Sequence, residues 1–268
     1  MTMRRKAVLW GLAILITLAS AVWQRMTGPT YPVRGTVTVG GESIRLRLAR
    51  SHSVAARQPI VVPAVGPDIT GEVAWRRYPT HDPWQALPME RTEGALRAQL
   101  PPEPFPLMPP AGKLEYQVRL RRGGEETVFP AAAAVTRFKG DVPAAILAPH
   151  ILAMFVGMLL STRAGLGAVA GGRVRFLTYL TLALLVVGGL VLGPIVQKMA
   201  FGAYWTGVPW GWDLTDNKTL IAALAWAAAA WRVGRGGAGA RAAVALAAVV
   251  TLVVFAIPHS VWGSEVKW

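Results

Sequence analysis

Five apolar runs that contain no charged side chain constrain this chain more than any other feature of its sequence. They are Ala7–Trp23, residues 142–162 and 176–197, Thr219–Trp231 and Ala242–Pro258. About 20 apolar residues are enough for a helix to cross the hydrocarbon core of a bilayer. The fourth run has only 13 residues, so it needs polar sequence at its outer end to complete a span. The runs therefore predict an integral membrane α-helical bundle of five spans.

The basic residues indicate how these spans are oriented. The chain carries a formal net charge of +14, and nine of its basic residues stand in three clusters without an acidic residue, at 4–6, 163–175 and 232–241. Lysine and arginine concentrate in the cytoplasmic loops of membrane proteins. We therefore expect a multi-pass protein of the cytoplasmic (inner) membrane with a cytoplasmic N-terminus and three extracytoplasmic segments, residues 24–141, 198–218 and 259–268. No basic stripe is interleaved with aromatic residues, so the expected partner is the lipid bilayer and not nucleic acid.

The first domain, residues 1–25, allows two interpretations. Ala19-Ser20-Ala21 resembles a signal-peptide cleavage site. The same run is also long enough for a retained anchor of about 26 Å, and we favour an N-terminal anchor or uncleaved signal. The sequence has no cysteine, which excludes disulfides, thiolate metal sites, cysteine-ligated clusters and covalent haem attachment through its own thiols.

Residues 28–140 are predicted to form an extracytoplasmic all-β domain. Its hairpin signals are two Gly-Gly pairs, 40–41 and 123–124, each flanked by β-type sequence. The candidate strands are Val33–Val39, Ser43–Ala49, Glu72–Tyr78, Trp84–Arg91, Ala95–Leu100, Leu114–Arg121 and Glu126–Pro130. About seven short strands favour an immunoglobulin-like or fibronectin-III-like sandwich. Neither His52 nor His81 has partners that suggest catalysis, so we expect a binding or spacing module.

The four-span membrane domain, residues 142–268, contains two histidines in matching positions. Pro149-His150 opens the second span and Pro258-His259 closes the fifth. Counted from the basic residues Arg163 and Arg241, the two imidazoles lie roughly 20 and 27 Å towards the outer face. Ionisable side chains at that depth are functional-site candidates, because unpaired polarity in hydrocarbon is costly. Hydrogen bonding to helix ends is the alternative interpretation of both histidines.

A periplasmic loop, residues 198–218, lies between the two histidines in sequence and on the same predicted side. It contains Trp205, Trp210, Trp212 and Asp213, with glycines and a proline that let the backbone lie close to a flat ligand. Asp213 or Thr215 is expected to cap the following helix. The C-terminal tail, residues 261–268, is a candidate to fold back over this loop. An ordinary aromatic belt at the membrane interface is the alternative interpretation of the tryptophans.

The segment Trp210-Gly211-Trp212-Asp213, followed by Leu214-Thr215 and an apolar helix, resembles the tryptophan-rich WWD segment of haem-handling membrane proteins of cytochrome c biogenesis. In that family an outward-facing loop contacts haem, and a histidine on each side of it in sequence ligates the iron. The resemblance covers residues 142–262, although the tryptophan spacing and the continuation after Asp213 differ from the usual pattern. It implies that the metal ligands are His150 and His259, and that a haem b contacts Trp205, Trp210, Trp212 and Asp213.

We therefore expect a haem-binding integral membrane protein of the haem-handling, cytochrome c biogenesis type, which holds b-type haem near the outer membrane face. Lys198, Lys218 or Arg137 would neutralise the propionates. An apocytochrome or another membrane or periplasmic subunit would dock on the β-domain. The alternative is a non-catalytic structural or assembly subunit of a larger membrane complex, with the aromatic loop as a protein interface. No catalytic residue is identified, so the sequence does not decide whether the protein is an enzyme.

Overall fold

The computed structural model describes residues 2–63 and 65–259, and also Val261, Gly263 and Val266. Most of the C-terminal tail that was a candidate to fold back over the aromatic loop therefore lies outside the described residues. The chain divides into two compact units, one helical and one rich in β-strands, and each is described by itself. The fold is thus mixed, as the sequence predicts.

The helical unit contains residues 1–28, 142–199 and 203–264. Its helices are α1 (Met3–Thr27), α2 (Ala144–Val169), α3 (Arg175–Leu185), α4 (Gly193–Phe201), α5 (Leu214–Arg235) and α6 (Ala240–Ala256). A π-helical segment, Val186–Leu192, joins α3 to α4. Glycines in this run therefore do not break the helix, and Arg175–Phe201 is one continuous helical stretch.

In the described part of the chain, three helical stretches are long and apolar enough to cross a membrane, namely Met3–Thr27, Ala144–Val169 and Arg175–Phe201. Large apolar side chains stand exposed along them, as at Leu15 and Leu152, which are 64% and 65% exposed. Burial of such surface away from water is favourable, so the structure indicates membrane association. The other two helices differ, because α6 is apolar but only 17 residues long and α5 carries charged residues at both ends.

Buried polar and apolar side chains hold α2, α5 and α6 together. Trp226 of α5 is fully buried, and its indole Nε1 donates a hydrogen bond of 2.8 Å to Thr251 Oγ1 of α6. α2 approaches α6 closely, since a Cβ added at Gly165 would lie 2.5 Å from Cβ of Ala248, so only glycine permits this approach. These contacts fix the relative positions of the helix ends at which the candidate histidines lie.

The β-rich unit is formed mainly by residues 29–141. Its strands are β1 (Val33–Val39), β2 (Glu42–Leu48), β3 (Ser51–Ser53), β4 (Gln58–Val62), β5 (Thr70–Arg77), β6 (Gln85–Pro88), β7 (Glu90–Thr92), β8 (Ala95–Leu100), β9 (Lys113–Arg122) and β10 (Glu125–Lys139). They form three sheets with the orders β1-β2, β3-β10-β9-β5-β6 and β4-β8-β7. Alternate side chains of β2, at Ile44, Leu46 and Leu48, enter the apolar core.

The predicted set of strands lacks β3 and β4, and two of its members differ in extent. The candidate Trp84–Arg91 divides into β6 and β7, which belong to different sheets. Met89 between them is buried, and its N–H donates to the Gly71 carbonyl. The candidate Glu126–Pro130 extends as β10 to Lys139, with a shift of register between Phe129 and Ala134.

Candidate functional site

His150 lies in the first two turns of α2, and the π-helical segment orients its ring. Its Nδ1 lies 2.9 Å from the carbonyl oxygen of Gly188, which also accepts the backbone N–H of Gly193. A carbonyl oxygen only accepts hydrogen bonds, so Nδ1 carries the hydrogen and the neutral ring keeps its lone pair on Nε2. The π-helical segment therefore fixes the tautomer of His150, and π-helical turns occur often at functional sites.

His259 lies just after α6, where its ring meets α1 and α5. Its Nδ1 lies 3.1 Å from Nε2 of Gln24 and 3.3 Å from Nζ of Lys218. The Gln24 nitrogen also donates 2.9 Å to the carbonyl of Phe255, which identifies it as the amide nitrogen and hence as a donor. Nδ1 of His259 therefore accepts, and the neutral ring carries its hydrogen on Nε2.

Contacts between helices bring the two predicted histidines to the same end of the helical unit. His150 of α2 contacts the Gly188 carbonyl, and a Cβ added at the neighbouring Gly189 would lie 2.4 Å from Cγ2 of Thr219 on α5. Lys218, the residue before Thr219, reaches Nδ1 of His259. The π-helical segment and the start of α5 therefore connect the two rings.

Lys218 has a structural position that the sequence did not suggest. It was a candidate to neutralise a propionate, yet only 1% of its surface is exposed. Its Nζ donates 2.7 Å to the carbonyl of Ile257 and reaches that of Pro258 at 3.4 Å. These carbonyls follow the last turn of α6, where helix geometry leaves acceptors unpaired and the helix dipole favours a cation. Lys218 of α5 thus caps the C-terminal end of α6.

The two aspartates at the start of α5 fold the aromatic loop. Asp213 is the N-cap, as predicted, and its Oδ1 accepts the N–H of Thr215 at 2.8 Å. Asp216 is 5% exposed, and its Oδ2 accepts the N–H of Thr206 at 2.6 Å and Nε2 of Gln197 at 3.1 Å. Side chains at the start of α5 therefore accept hydrogen bonds from the loop and hold it against the helix.

A close backbone approach completes the loop. A Cβ at Gly207 would lie 2.6 Å from Cβ of Asp216 and 2.7 Å from Oδ1 of Asn217. The same Asn217 oxygen accepts the N–H of Val208 at 2.8 Å. At Gly211 a Cβ would overlap the carbonyl oxygen of Thr206. The glycines thus serve the tight fold of the loop itself, whether or not a ligand lies against it.

The three tryptophans of the loop are not equivalent. Nε1 of Trp205 donates 3.1 Å to the carbonyl of Val208 within the loop. Trp210 and Trp212 are 80% and 84% exposed, so neither forms a closed cover over a histidine. They present two indole rings on a rigid loop, beside Tyr204, whose ring centroid lies 5.5 Å from Nζ of Lys198. Arg137, the third candidate for a propionate, is a buried residue of β10 in the β-rich unit.

The hydrogen bonds of His150 suit a haem ligand, whereas those of His259 do not. Histidines that bind a metal through Nε2 typically donate Nδ1–H to a carbonyl or carboxylate, and His150 makes this hydrogen bond. His259 has the opposite tautomer, so its Nε2 would be available to a metal only if Nδ1 lost its contacts with Gln24 and Lys218 and carried the hydrogen instead. Among the described residues no group of three or more histidine, aspartate or glutamate side chains is suited to a metal ion.

Comparisons with known proteins add no relative. No protein-family model matches the chain, and no curated protein or solved structure is significantly similar to it.

Proposed function

We propose that this chain is a haem-binding integral membrane protein of the haem-handling type, which holds a b-type haem near the outer membrane face. The hydrogen bond of 2.9 Å between Nδ1 of His150 and the Gly188 carbonyl carries the proposal. It leaves the lone pair of His150 on Nε2 and holds the ring in one orientation, as carbonyl partners do for metal-binding histidines. Haem would supply an iron centre there for electron transfer or for delivery to a partner.

The two histidines have unequal roles in this proposal. His150 is held in the orientation and tautomer that an axial ligand needs. His259 is the second ligand, and its ring has to exchange the donors Gln24 and Lys218 before its Nε2 lone pair is available. Exposed Trp210 and Trp212 would offer flat apolar surface to a porphyrin that enters from outside. Asp213 would hold the loop in place by capping the start of α5.

The topology belongs to the same proposal. α5 and α6 complete five spans, because α5 begins at Leu214, before its apolar run, and Ile257 and Pro258 continue the apolar run of α6 past the end of the helix. The basic clusters then face the cytoplasm, and the β-rich unit, an immunoglobulin-like or fibronectin-III-like sandwich, lies outside. That unit would dock an apocytochrome or another periplasmic or membrane subunit.

The absorption spectrum of the purified protein tests the haem site. We expect a Soret band and a b-type pyridine haemochrome after haem loading, which His150→Ala abolishes. His259→Ala should leave a five-coordinate spectrum, because His150 remains. His81→Ala, a change at an exposed histidine of the β-rich unit, is the matched control and should leave the spectrum unchanged. A colourless wild type after loading, or equal spectra for the wild type and His150→Ala, would refute the proposal.

A second candidate function, an assembly subunit without haem, is favoured by the exposure of Trp210 and Trp212. Two exposed indoles on a rigid loop resemble the aromatic anchors of protein interfaces. Under this alternative, Trp210→Ala and Trp212→Ala would release a co-purifying membrane partner from the wild-type complex while no variant changes the absorption spectrum. Retention of the partner by both variants would argue against it.

A further inference from the structure

A buried arginine in α2 has no acidic partner among the described residues of the helical unit. Arg163 is 7% exposed, and its Nε has no hydrogen-bond partner. No ion pair to it occurs among the described residues. A guanidinium removed from water is costly unless an anion or several acceptors compensate it. The position therefore calls for an anion that this part of the chain does not supply.

The sequence explains why the helical unit supplies none. Its segments contain only two acidic residues, Asp213 and Asp216, and both stand at the start of α5. The far end of α5 lies near the end of α2, because Tyr179 in the first turns of α3 donates to the carbonyl of Ala230. Fourteen residues of helix, roughly 21 Å, separate Ala230 from Asp216, and both carboxylates are occupied by the aromatic loop.

The surroundings of Arg163 resemble a lipid-facing anion site. Its guanidinium carbon lies 5.4 Å from the ring centroid of Trp10 on α1, and Trp10 is 37% exposed. A Cβ at Gly167 would lie 2.9 Å from an Nη atom of Arg163, so glycine at this position leaves room for the guanidinium group of Arg163. Arg163 stands six residues before the end of α2, roughly 9 Å from it, a depth that suits the phosphate of a phospholipid.

Further basic residues surround this end of the unit. The contact with Trp10 places the start of α1, with Arg4 and Arg5, near the end of α2. Arg173 and Arg175 follow α2 directly, and no acidic residue occurs in either segment. Basic sites between transmembrane helices bind anionic lipid head groups in the same manner. We infer that Arg163, supported by Trp10 and these basic residues, binds the phosphate of an anionic phospholipid between α1 and α2.

Lipid binding by the full-length protein tests this site, independently of haem. Wild-type protein in phosphatidylcholine nanodiscs is titrated with phosphatidylglycerol, and bound lipid is counted by native mass spectrometry. We expect Arg163→Gln to lower the affinity for phosphatidylglycerol at least about fivefold, the effect of one basic residue at a membrane surface. Arg241→Gln removes the same charge from an exposed position on α6 and should retain most of the affinity.

Four outcomes would overturn the proposal or replace the lipid as ligand. Equal affinities of the wild type for phosphatidylglycerol and phosphatidylcholine would overturn the proposal even if Arg163→Gln fails to fold. Equal losses in Arg163→Gln and Arg241→Gln would also overturn it, because they would indicate non-specific attraction. Competition by millimolar inorganic phosphate would show that the site binds free phosphate instead of the lipid, and an acidic partner protein that co-purifies only with the wild type would replace the lipid as ligand.

Discussion

Nζ of Lys218 lies 2.7 Å from the carbonyl oxygen of Ile257, so a side chain of α5 caps the end of α6. Lys218 is fully enclosed at this point and also reaches His259. A buried cation is tolerated here because helix-end carbonyls replace its hydration. The position of His259 therefore depends on α5 as much as on its own helix.

Replacement of Lys218 by methionine should loosen this junction. The variant leaves the carbonyls after α6 without their charged donor, and unpaired buried acceptors cost about 1–3 kcal/mol each. We expect the Tm in detergent to fall by about 5–10 °C. Lys198→Met, which removes the same charge from an exposed residue, should change the Tm by about 1 °C or less. Equal shifts in both variants would show that the cap contributes nothing specific.

Gln24 offers a way to change the tautomer of His259 without removing a charge. Gln24→Leu deletes one of the two donors to Nδ1, a hydrogen bond worth about 1 kcal/mol. If His259 is the second haem ligand, the ratio of six-coordinate to five-coordinate haem should rise about fivefold. Gln99→Leu, a change in β8 of the β-rich unit, serves as the control. A lower six-coordinate fraction in Gln24→Leu would mean that Gln24 assists ligation.

The sequence predicted where the candidate site lies but not how its residues are used. The Pro-His pairs and the charge clusters place His150 and His259 at one end of the unit, and the structure brings them there. The tautomers were not predictable, because they depend on the Gly188 carbonyl of a π-helical segment and on the Lys218 side chain of another helix. Periodicity within one helix carries no information on such contacts between helices.

The aromatic loop should not tolerate a side chain at Gly207. In Gly207→Ala the new methyl group would meet Asp216 and Asn217 at less than 3 Å, and forced packing of this kind costs about 1–3 kcal/mol. We expect faster proteolysis of the loop and a shifted tryptophan emission. Gly11→Ala is the matched control, because a Cβ at Gly11 meets nothing within 4 Å and alanine favours a helix. Identical digestion patterns of the two variants would contradict the tight fold.

The core of the β-rich unit contains a buried polar network that single substitutions should disrupt. Oγ1 of Thr136 donates 2.6 Å to Oε1 of Gln58, and Nε2 of Gln58 donates 3.0 Å to the hydroxyl of Tyr116. Gln58→Leu and Thr136→Val each leave a buried polar group without its partner. Each variant should lower the free energy of unfolding, measured with denaturant, by about 1–3 kcal/mol. The double variant should cost less than the sum by about 1 kcal/mol. Thr36→Val, at an exposed position of β1, is the control and should leave the free energy of unfolding nearly unchanged. Strictly additive effects of the two network variants would show that Gln58 and Thr136 are not coupled.

The same network shows why the β-rich unit was only partly predictable. Alternation of apolar residues located β1, β2 and β9 nearly to the residue, because one face of each strand is buried. Strand β4 was missed, since its buried positions begin with the polar Gln58, whose burial depends on partners far away in sequence. The split between β6 and β7 depends likewise on a hydrogen bond to Gly71 and not on local composition.

The proposed topology can be tested with single cysteines, because the chain contains none of its own. Val208→Cys in the aromatic loop and Ala131→Cys in the β-rich unit should react with a membrane-impermeant maleimide in intact cells. Ala238→Cys, in the turn between α5 and α6, should react only after the membrane is opened. All three positions lie in non-helical segments, so differences in labelling report the side of the membrane and not burial within a helix. Labelling of Ala238→Cys in intact cells would show that α5 and α6 do not cross the bilayer as proposed. The proposed location of His259 and of the haem site would then be wrong.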